Sequence, residues 1–455
     1  MHLSLLMSSV HKRFLIITQV FTPDPAAVGQ YFDEAAQAIA STGAKVTVLT
    51  ANRGYDNPNA RFTAKEDRDG INIRRLPLSS FGKASIPVRI FAQLSFLIQS
   101  ILRGLFTPKL TDLLVSTSPP MAAITAVVIG FFRPKLKVHY WVMDINPDQA
   151  VILGAFSPRH PLVLALDWLN RRILKRADSV IALDRFMAAR MAAKLQQPKT
   201  VNEQPVANKL TILPPWPMDD YLEVVPHNKN PFRKAQGWEG KFVVMYSGNH
   251  SLVHPLDTIL NAAEQLKDDP RFIFAFIGGG KGKAVVDARI NEWDSGNVVK
   301  YECKDTPSHI QTSPHSNSRP SVVSLPYQPL DQIRYSLSAA DLHIVSLGDN
   351  MSGIVHPCKI YGALSIGRPV LALGPKQSYL NDIIDGNDIG RSIEHGDVDA
   401  AVAALQAAAD QTQEERVAIG QRAQQVATEK FSREQLVHQF LETVLKAENI
   451  LQGSP

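Results

Sequence analysis

Two series of short apolar runs, each alternating with helical segments, constrain the fold of this chain more than any other feature. A stretch with five prolines, residues 213–231, separates the two series. Buried parallel strands appear as continuous apolar runs, because helices cover both faces of the sheet that they form. Proline removes a backbone donor, so the stretch between the series holds neither a regular helix nor an inner strand. The pattern predicts two doubly wound α/β domains joined by a linker.

The predicted strands are apolar runs, five in each series. They lie at residues 14–20, 45–50, 113–116, 138–143 and 180–183, and at residues 242–246, 272–277, 322–325, 343–347 and 370–373. We place the first domain at residues 1–220 and the second at residues 221–432, and we expect a helix within residues 433–455 to pack back on the first domain. Ligands of open α/β sheets bind beyond the carboxyl ends of the strands, so we expect a site in the loops that follow the strands.

Composition excludes several classes of protein. Hydrophobic residues make up 45% of the chain and charged residues 20%, as in a globular protein and unlike a disordered one. The formal net charge of +5 suits phosphorylated substrates or an anionic membrane surface, and no Lys/Arg run or aromatic motif indicates nucleic acid. Cys303 and Cys358 are too few for a disulfide framework, so we expect a cytoplasmic protein. No carboxylate cluster indicates a metal, and we expect no cofactor.

One segment, residues 86–106, is long enough to cross a bilayer as a helix. Its apolar residues recur at helical spacing and form one broad stripe, but Arg89, Gln93, Gln99 and Arg103 interrupt it. Two interpretations remain open. The helix either packs on a sheet, or lies in the cytoplasmic leaflet of the plasma membrane with basic residues at its margins.

Two polar loops follow strands of the second series. Gly278, Gly279 and Gly280 precede Lys281 in a turn that is either an ordinary tight turn or a phosphate cradle of backbone N–H groups. Its spacing is not that of a P-loop, and no GxGxxG follows the first strand, which argues against a dinucleotide-binding dehydrogenase.

The other loop reads Ser247, Gly248, Asn249, His250. Its backbone and side chains could donate hydrogen bonds to a diphosphate, and His250 could add a further donor. A helix N-cap cluster is the alternative interpretation.

A single lysine stands out in the stretch GDNMSGIVHPCKIYGALSIGRPVLALGP, residues 348–375. Lys359 begins a predicted helix, where a cation is unfavourable beside the helix dipole unless an anion neutralises both. Lys359 is therefore predicted to bind phosphate, with a merely solvated lysine as the alternative.

The segment HPCKIYGALSIGRPVLAL resembles the PSK-x-Y-x-x-LAxGxPV segment of GT-B glycosyltransferases of family 4, especially those of capsule, O-antigen and colanic-acid assembly. Other motifs of that family are matched in the same order along nearly the whole chain. They are VFTPDPAAVGQ, LVSTSPP, MDINPD, NPFR, VVMYSGNHS, FIGGG, LPYQP and SAADLHIVSL.

The resemblance implies an α/β fold of GT-B type, with two Rossmann-like doubly wound parallel-sheet domains that face a central cleft. It implies a retaining hexosyl- or N-acetylhexosaminyltransferase in cell-surface polysaccharide biosynthesis. The expected donor is a nucleotide diphosphate sugar, with a UDP-sugar as the expected co-substrate. The expected acceptor is a polyprenyl-linked glycan or another acceptor, reached with peripheral contact to the inner face of the plasma membrane.

The resemblance also implies roles for single residues. Those assigned to the donor are Gly248 and Asn249 beside the diphosphate, Gly279 and Lys281 on the donor side, Lys359 on phosphate and Tyr327 beside the base. Gly29 and Gln30 match a loop of the first domain that faces the donor phosphates and the acceptor. Asp144 matches a polar residue of that domain, and it is expected to act as an acceptor-side base or only to cap a helix.

One departure separates this chain from many members of that family. They carry a Glu-x7-Glu pair, and the corresponding residues here are Ile354 and Gly362. Sugar recognition is then expected to depend on Ser352, Gly353 and backbone groups. Two alternative functions follow, a nucleotide-sugar epimerase of the same architecture and a non-catalytic nucleotide-sugar-binding protein.

Overall fold

The computed structural model describes residues 11–24, 26–54, 59–81, 86–195, 209–217, 222–293 and 322–445. Cys303 and the last ten residues of the predicted C-terminal helix region therefore lie outside the described residues. The chain divides into two compact units, described in turn below. The first comprises Met1–Met218, Gly353–His356 and Arg433–Pro455, and the second comprises Asp219–Ser352 and Pro357–Ser432.

The first unit is built on an eight-stranded sheet with the strand order β3-β4-β2-β1-β5-β6-β7-β8 in the described part of the chain. Its strands are β1 (Arg13–Ile17), β2 (Lys45–Ala51), β3 (Lys65–Arg68), β4 (Ile71–Leu76), β5 (Asp112–Ser116), β6 (Lys137–Trp141), β7 (Ser179–Ala182) and β8 (Leu210–Ile212). All neighbours pair in parallel except β3 and β4. The central strand β1 is apolar and buried because helices cover both faces of this sheet.

The helices of the first unit lie on the two faces of that sheet. They are α1 (Ala27–Ser41), α2 (Ile86–Phe106), α3 (Ala123–Phe132), α4 (Asp148–Ile152), α5 (Pro161–Arg176), α6 (Arg185–Leu195) and α15 (Arg433–Leu445). Right-handed crossovers from β4 to β5, β5 to β6 and β6 to β7 all advance in one direction, which places α2, α3 and α5 on one face. The crossover from β1 to β2 runs the other way, so α1 covers the opposite face, where α15 packs on it.

The second unit is built on a parallel six-stranded sheet with the order β11-β10-β9-β12-β13-β14 in the described part of the chain. Its strands are β9 (Phe242–Ser247), β10 (Phe272–Ile277), β11 (Val322–Leu325), β12 (Leu342–Ser346), β13 (Val370–Leu373) and β14 (Gly390–Ile393). Its helices are α7 (Pro231–Gln236), α8 (Asp257–Gln265), α9 (Lys283–Trp293), α10 (Ile333–Ser338), α11 (Lys359–Ser365), α12 (Tyr379–Ile384), α13 (Val398–Asp410) and α14 (Gln413–Lys430). Short 3₁₀ turns occupy His227–Lys229, Leu330–Gln332 and Asp385–Asn387.

Two parallel α/β sheets confirm the predicted fold class, with differences at the ends of strands. The strand predicted at 14–20 ends at Ile17, because the backbone N–H of Gln19 donates to the carbonyl of Ser118 instead of continuing the ladder (3.1 Å). The strand predicted at 138–143 ends at Trp141, because the Met143 N–H turns to the hydroxyl of Thr117 (3.2 Å). Both exits create loops at the carboxyl edge of the first sheet.

Four strands were not predicted from the sequence, namely the edge strands β3, β8 and β14 and the strand β4 that pairs with β3. The hairpin of β3 and β4 turns at Asp69 and Gly70, both with positive φ (51° and 79°), as a tight antiparallel turn requires. Charged side chains on β3 suit an exposed edge, so hydrophobic periodicity did not reveal it.

Candidate functional site

Loops from three neighbouring strands meet at the carboxyl edge of the second sheet. They follow β9, β10 and β11. The backbone N–H of His250 donates to the carbonyl of Gly279 (2.7 Å), and the Tyr327 hydroxyl donates to the same carbonyl (3.4 Å). The structure therefore brings together the predicted donor residues of the Ser247–Gly248–Asn249–His250 loop, the glycine turn and Tyr327.

Two positions in these loops, Gly248 and Gly278, require glycine. Gly248 and Gly278 have φ values of 129° and 134°, which L side chains rarely adopt. A Cβ at Gly278 would overlap the Gly248 carbonyl group, 2.8 Å from its carbon. A Cβ at Gly279 would lie 2.8 Å from the Tyr327 ring. The β9 and β10 loops thus pack backbone against backbone.

Lys359 is the first residue of α11 and extends beneath the β9 loop. Its Cε would lie 2.8 Å from a Cβ at Gly248, and its ammonium lies over the Tyr246 ring, 5.3 Å from the centroid. Burial lowers the pKa of Lys359 to about 8. No carboxylate forms an ion pair with this lysine among the residues that the structure describes. A half-buried cation at a helix start, without a carboxylate, is an arrangement that an anion would stabilise.

The His250 ring makes a hydrogen bond within the β9 loop. Its Nδ1 lies 3.1 Å from the carbonyl oxygen of Gly248, and a carbonyl only accepts, so Nδ1 carries the proton. Burial, reinforced by the charge of Lys283, lowers the pKa of His250 to about 4, and the ring is neutral at pH 7. The buried Nε2 is then an acceptor. His250 holds the loop conformation.

The other predicted donor residues of the second unit lie in different surroundings from one another. Ser247 is the last residue of β9, Asn249 is exposed beside the glycine turn, and Lys281 is an exposed residue of the turn before α9. The Ser352 hydroxyl donates to the carbonyl of Gln377 (2.8 Å), which ties it to the chain after β13. Ser352 is therefore engaged in a structural hydrogen bond.

Gly353 and Ile354 belong to the first unit, whereas the preceding Ser352 belongs to the second. Gly353 has a φ of 70°, and a Cβ there would overlap the backbone of Phe186. Ile354 is fully buried, and its carbonyl accepts a hydrogen bond from Ile145 (2.9 Å). Gly362 lies within α11. Of the two positions at which the resembled family carries glutamate, the one occupied by Ile354 is therefore filled by a fully buried apolar side chain.

Asp144 lies in the loop after β6, at the carboxyl edge of the first sheet. The Thr117 hydroxyl accepts from the backbone N–H groups of Met143 and Asp144, at 3.2 Å each. The TSPP motif thus positions the MDINPD loop. Burial raises the pKa of Asp144 to about 6, so the carboxyl is poised to exchange a proton near neutral pH.

Gly29 and Gln30 lie in the first turn of α1, not in the predicted loop. A Cβ at Gly29 would lie 3.1 Å from backbone atoms of Phe21. The glycine is therefore needed because the helix start approaches the loop after β1. The predicted loop is shorter, since the helix begins at Ala27.

Sequence reasoning missed two aromatic side chains that surround Lys359. Tyr246 lies beneath its ammonium, and its hydroxyl donates to the carbonyl of Asn249 (2.9 Å). His254 is half-buried, and its Nδ1 lies 2.6 Å from the carbonyl oxygen of Ser346. Desolvation and the charge of Lys359 lower the pKa of His254 well below its usual value. The position of Tyr246 at the end of β9 was the one signal available. In the described part of the chain, no group of three His, Cys, Asp or Glu side chains could hold a metal ion.

A family model described as a glycosyl transferase 4-like domain matches residues 26–203. The probable glycosyltransferase WbjE of Pseudomonas aeruginosa is 26% identical over 296 residues, which are 63% of this chain and 64% of that protein. The chain thus matches slightly under two thirds of WbjE. The putative colanic acid biosynthesis glycosyl transferase WcaI of Escherichia coli K12 is 21% identical over 85% of this chain and 90% of that protein.

The fold is shared with solved glycosyltransferases. The crystal structure of HepE from Anabaena, in complex with UDP and glucose, superposes with a TM-score of 0.66 at 13% identity. The match covers 96% of this chain and all of HepE. At this identity the likeness concerns the fold, and the predicted fold is confirmed.

Proposed function

Since the chain has the GT-B fold and a glycosyl transferase 4-like domain, as the sequence resemblance predicted, we propose that it is a glycosyltransferase of glycan biosynthesis. Its donor is a nucleotide diphosphate sugar, most simply a UDP-sugar, since HepE binds UDP and glucose on the same fold. Its acceptor is a polyprenyl-linked glycan in the assembly of a cell-surface polysaccharide. Lys359 is the observation that carries this proposal, because it is a half-buried cation that pairs with no carboxylate among the described residues.

The proposed transfer preserves the anomeric configuration. The bond from the anomeric carbon to the diphosphate oxygen breaks, and the acceptor hydroxyl attacks the same face of the sugar. The leaving diphosphate gains negative charge, which Lys359 and main-chain N–H groups of the glycine loops stabilise. Asp144 accepts the proton of the acceptor hydroxyl. Its raised pKa, about 6, suits a general base that is ionised at neutral pH.

The test is release of nucleotide diphosphate by the purified full-length chain. A panel of nucleotide sugars is incubated with a lipid-linked acceptor extract, and release is followed with and without the extract. We expect release to require the extract with at least one UDP-sugar, and the product to keep the anomeric configuration of the donor. Isomerisation of the donor without acceptor would show the epimerase instead. Donor binding without transfer to any acceptor would show a non-catalytic binding protein.

The pH dependence of turnover is expected to be bell-shaped. Asp144 must be deprotonated to act as a base, so kcat/KM falls as pH drops through about 6. Lys359 must be protonated to stabilise the diphosphate, so kcat/KM falls as pH rises through about 8. The profile is measured between pH 5 and 10 at constant ionic strength.

Two variants separate the two limbs of this profile. Asp144→Asn removes the acid limb and Lys359→Arg removes the alkaline limb, because arginine stays protonated over the whole range. If either limb persists unchanged in its variant, that residue is not the titrating group.

We further propose that the first unit docks on the anionic cytoplasmic leaflet of the plasma membrane, in keeping with a cytoplasmic protein that uses a lipid-linked acceptor. Helix α2 is long and apolar enough to cross a bilayer. Within the protein, 28% of its most apolar window is buried. One side of it packs inward through Phe96 and Leu97, while Ile98, Leu102 and Phe106 are 57%, 50% and 81% exposed. The helix therefore has two apolar faces, of which one is covered by protein.

The neighbouring helices extend the exposed face. Phe131 and Phe132 at the end of α3 are 77% and 64% exposed, and Trp168 on α5 is 55% exposed. The Arg133 guanidinium donates to the carbonyls of Gly104 and Thr107, which fixes the end of α3 beside the end of α2. The same helices and the turns after α2 and α3 carry exposed basic residues, namely Arg89, Arg103, Lys109, Lys135, Arg172 and Lys175. An apolar surface with a basic margin complements an anionic phospholipid leaflet.

We expect the chain to bind vesicles of phosphatidylglycerol and phosphatidylethanolamine more tightly than vesicles of phosphatidylcholine, with the difference reduced by salt. A Leu102→Ser/Phe106→Ser variant should bind about tenfold more weakly, because both side chains lose apolar area that the lipid would cover. Val417→Ser, at a half-exposed position of the second unit, is the matched control. Co-sedimentation measures the binding. Equal binding by the double variant and the control would exclude this docking face.

A further inference from the structure

A cavity of about 760 Å³ lies at the amino edge of the second sheet. Residues directly before four strands line it, among them Lys241 before β9, Arg271 before β10 and Asp341 before β12. The candidate donor loops follow the carboxyl ends of the same strands. A strand of six residues spans about 20 Å, so the cavity is separate from those loops. Neither the proposed transfer nor the family match assigns a role to it.

The cavity is lined by more cations than carboxylates. Arg233 is paired with Asp341 (2.9 Å), and Arg271 is paired with Asp269 (2.8 Å) and Asp410 (2.6 Å). Asp341 is further engaged by the backbone N–H of Val243 (2.8 Å). These two arginines are therefore neutralised within the protein.

Three other cations of the lining form no ion pair with a carboxylate in the described part of the chain. The Lys241 ammonium donates to the carbonyl of Pro270 (2.6 Å), and the Arg416 guanidinium donates to that of Ala409 (3.4 Å). The Arg368 guanidinium donates to the carbonyl of Ser338 (3.0 Å), and its buried Nε has no partner. Burial lowers the pKa of Arg368, and Asp341 opposes that shift. Each of these cations retains donors that a protein carbonyl leaves unused.

We propose that this cavity is a binding site for a phosphate monoester, such as a sugar phosphate, held by Arg368, Arg416 and Lys241. Guanidinium groups bind phosphate oxygens through paired, charge-assisted hydrogen bonds, and lysine adds a point charge. The volume exceeds what inorganic phosphate alone occupies and falls in the range of small-molecule sites. The half-exposed Val417 and the Phe242 ring, over which Arg416 lies at 5.7 Å, add apolar surface for the organic part.

The experiment is calorimetric titration of the full-length chain with glucose 6-phosphate, with inorganic phosphate and glucose as separate probes. We expect one site per chain for glucose 6-phosphate, weaker binding of phosphate and no binding of glucose. Arg416→Gln and Lys241→Gln should each weaken glucose 6-phosphate binding about tenfold, the loss of one charged hydrogen bond. Arg422→Gln, on the same helix but outside the cavity, is the matched control.

Arg368 is half-buried with its Nε fully buried, so Arg368→Gln is informative only if its circular dichroism and thermal midpoint match the parent chain. The variants Arg416→Gln and Lys241→Gln keep the proposal testable if it does not fold. An excess of UDP and the Lys359→Ala variant distinguish this cavity from the donor loops, and neither should change glucose 6-phosphate binding. Absence of glucose 6-phosphate binding, its displacement by UDP, or equal affinity in the two cavity variants and the control would overturn the proposal.

Discussion

Lys359→Ala is expected to lower kcat about a hundredfold, with a smaller change in KM. A donor that acts on developing negative charge in a site shielded from water contributes about 3 kcal/mol to the transition state. Lys359 meets that description because it is half-buried and lies over the Tyr246 ring. In the proposed transfer, charge grows on the diphosphate as the sugar bond breaks, so we expect the lysine to stabilise the transition state more than the bound donor. Initial rates of nucleotide diphosphate release measure the effect.

Two further variants establish that the effect comes from charge at this position. Lys359→Arg should keep more activity than Lys359→Ala, because it retains a cation with a different shape. Lys267→Ala, at an exposed lysine that follows α8, should have parent activity. Parent turnover in Lys359→Ala would remove the lysine from the mechanism, whatever the other variants show.

Gly278→Ala is expected to abolish measurable donor binding and to lower the melting temperature by about 5 to 10 °C. The φ of 134° costs an alanine about 1 to 3 kcal/mol, and its Cβ would overlap the carbonyl of Gly248. Relief of that overlap displaces the β9 loop, whose Gly248 carbonyl also accepts the hydrogen bond of His250. Binding is measured by titration with UDP and stability by differential scanning calorimetry.

The matched control for this glycine is Gly386→Ala. No atom lies within 4 Å of a Cβ at Gly386, and its φ is not positive. The control should bind UDP as the parent chain does and melt within about 2 °C of it. Donor binding by Gly278→Ala at parent affinity would show that the contact between the β9 and β10 loops does not shape the site.

The sequence was most informative where a residue's environment repeats along the chain. Runs such as residues 272–277 and 370–373 coincide with β10 and β13, because a strand buried on both faces has to be apolar throughout. Edge strands are not buried in this way and need not be apolar throughout. The charged β3 and the polar β14 are exposed on one side, and only the Asp69–Gly70 turn could have signalled the hairpin.

The sequence predicted which loops form the candidate site, but not what each side chain in those loops does. Order along the chain placed Gly248, Gly278 and Lys359 beyond the carboxyl ends of parallel strands, which the topology brings to one edge. The order of residues along the chain could not show that the His250 ring donates to a backbone carbonyl. Nor could it show that Ser352 is held by Gln377, since that partner is 25 residues away.

By itself, the sequence determined the two parallel sheets and the loops that hold the polar residues, and it predicted that Lys359 binds an anion. Each of these follows from short-range rules on burial, backbone conformation and the helix dipole. Only the tertiary structure decided the proton position of His250, the lowered pKa of Lys359 and the outward apolar face of α2. It also decided which cations of the cavity pair with no carboxylate in the described part of the chain. These properties depend on distances between residues remote in the chain, because electrostatic and hydrogen-bond energies change steeply over a few ångströms.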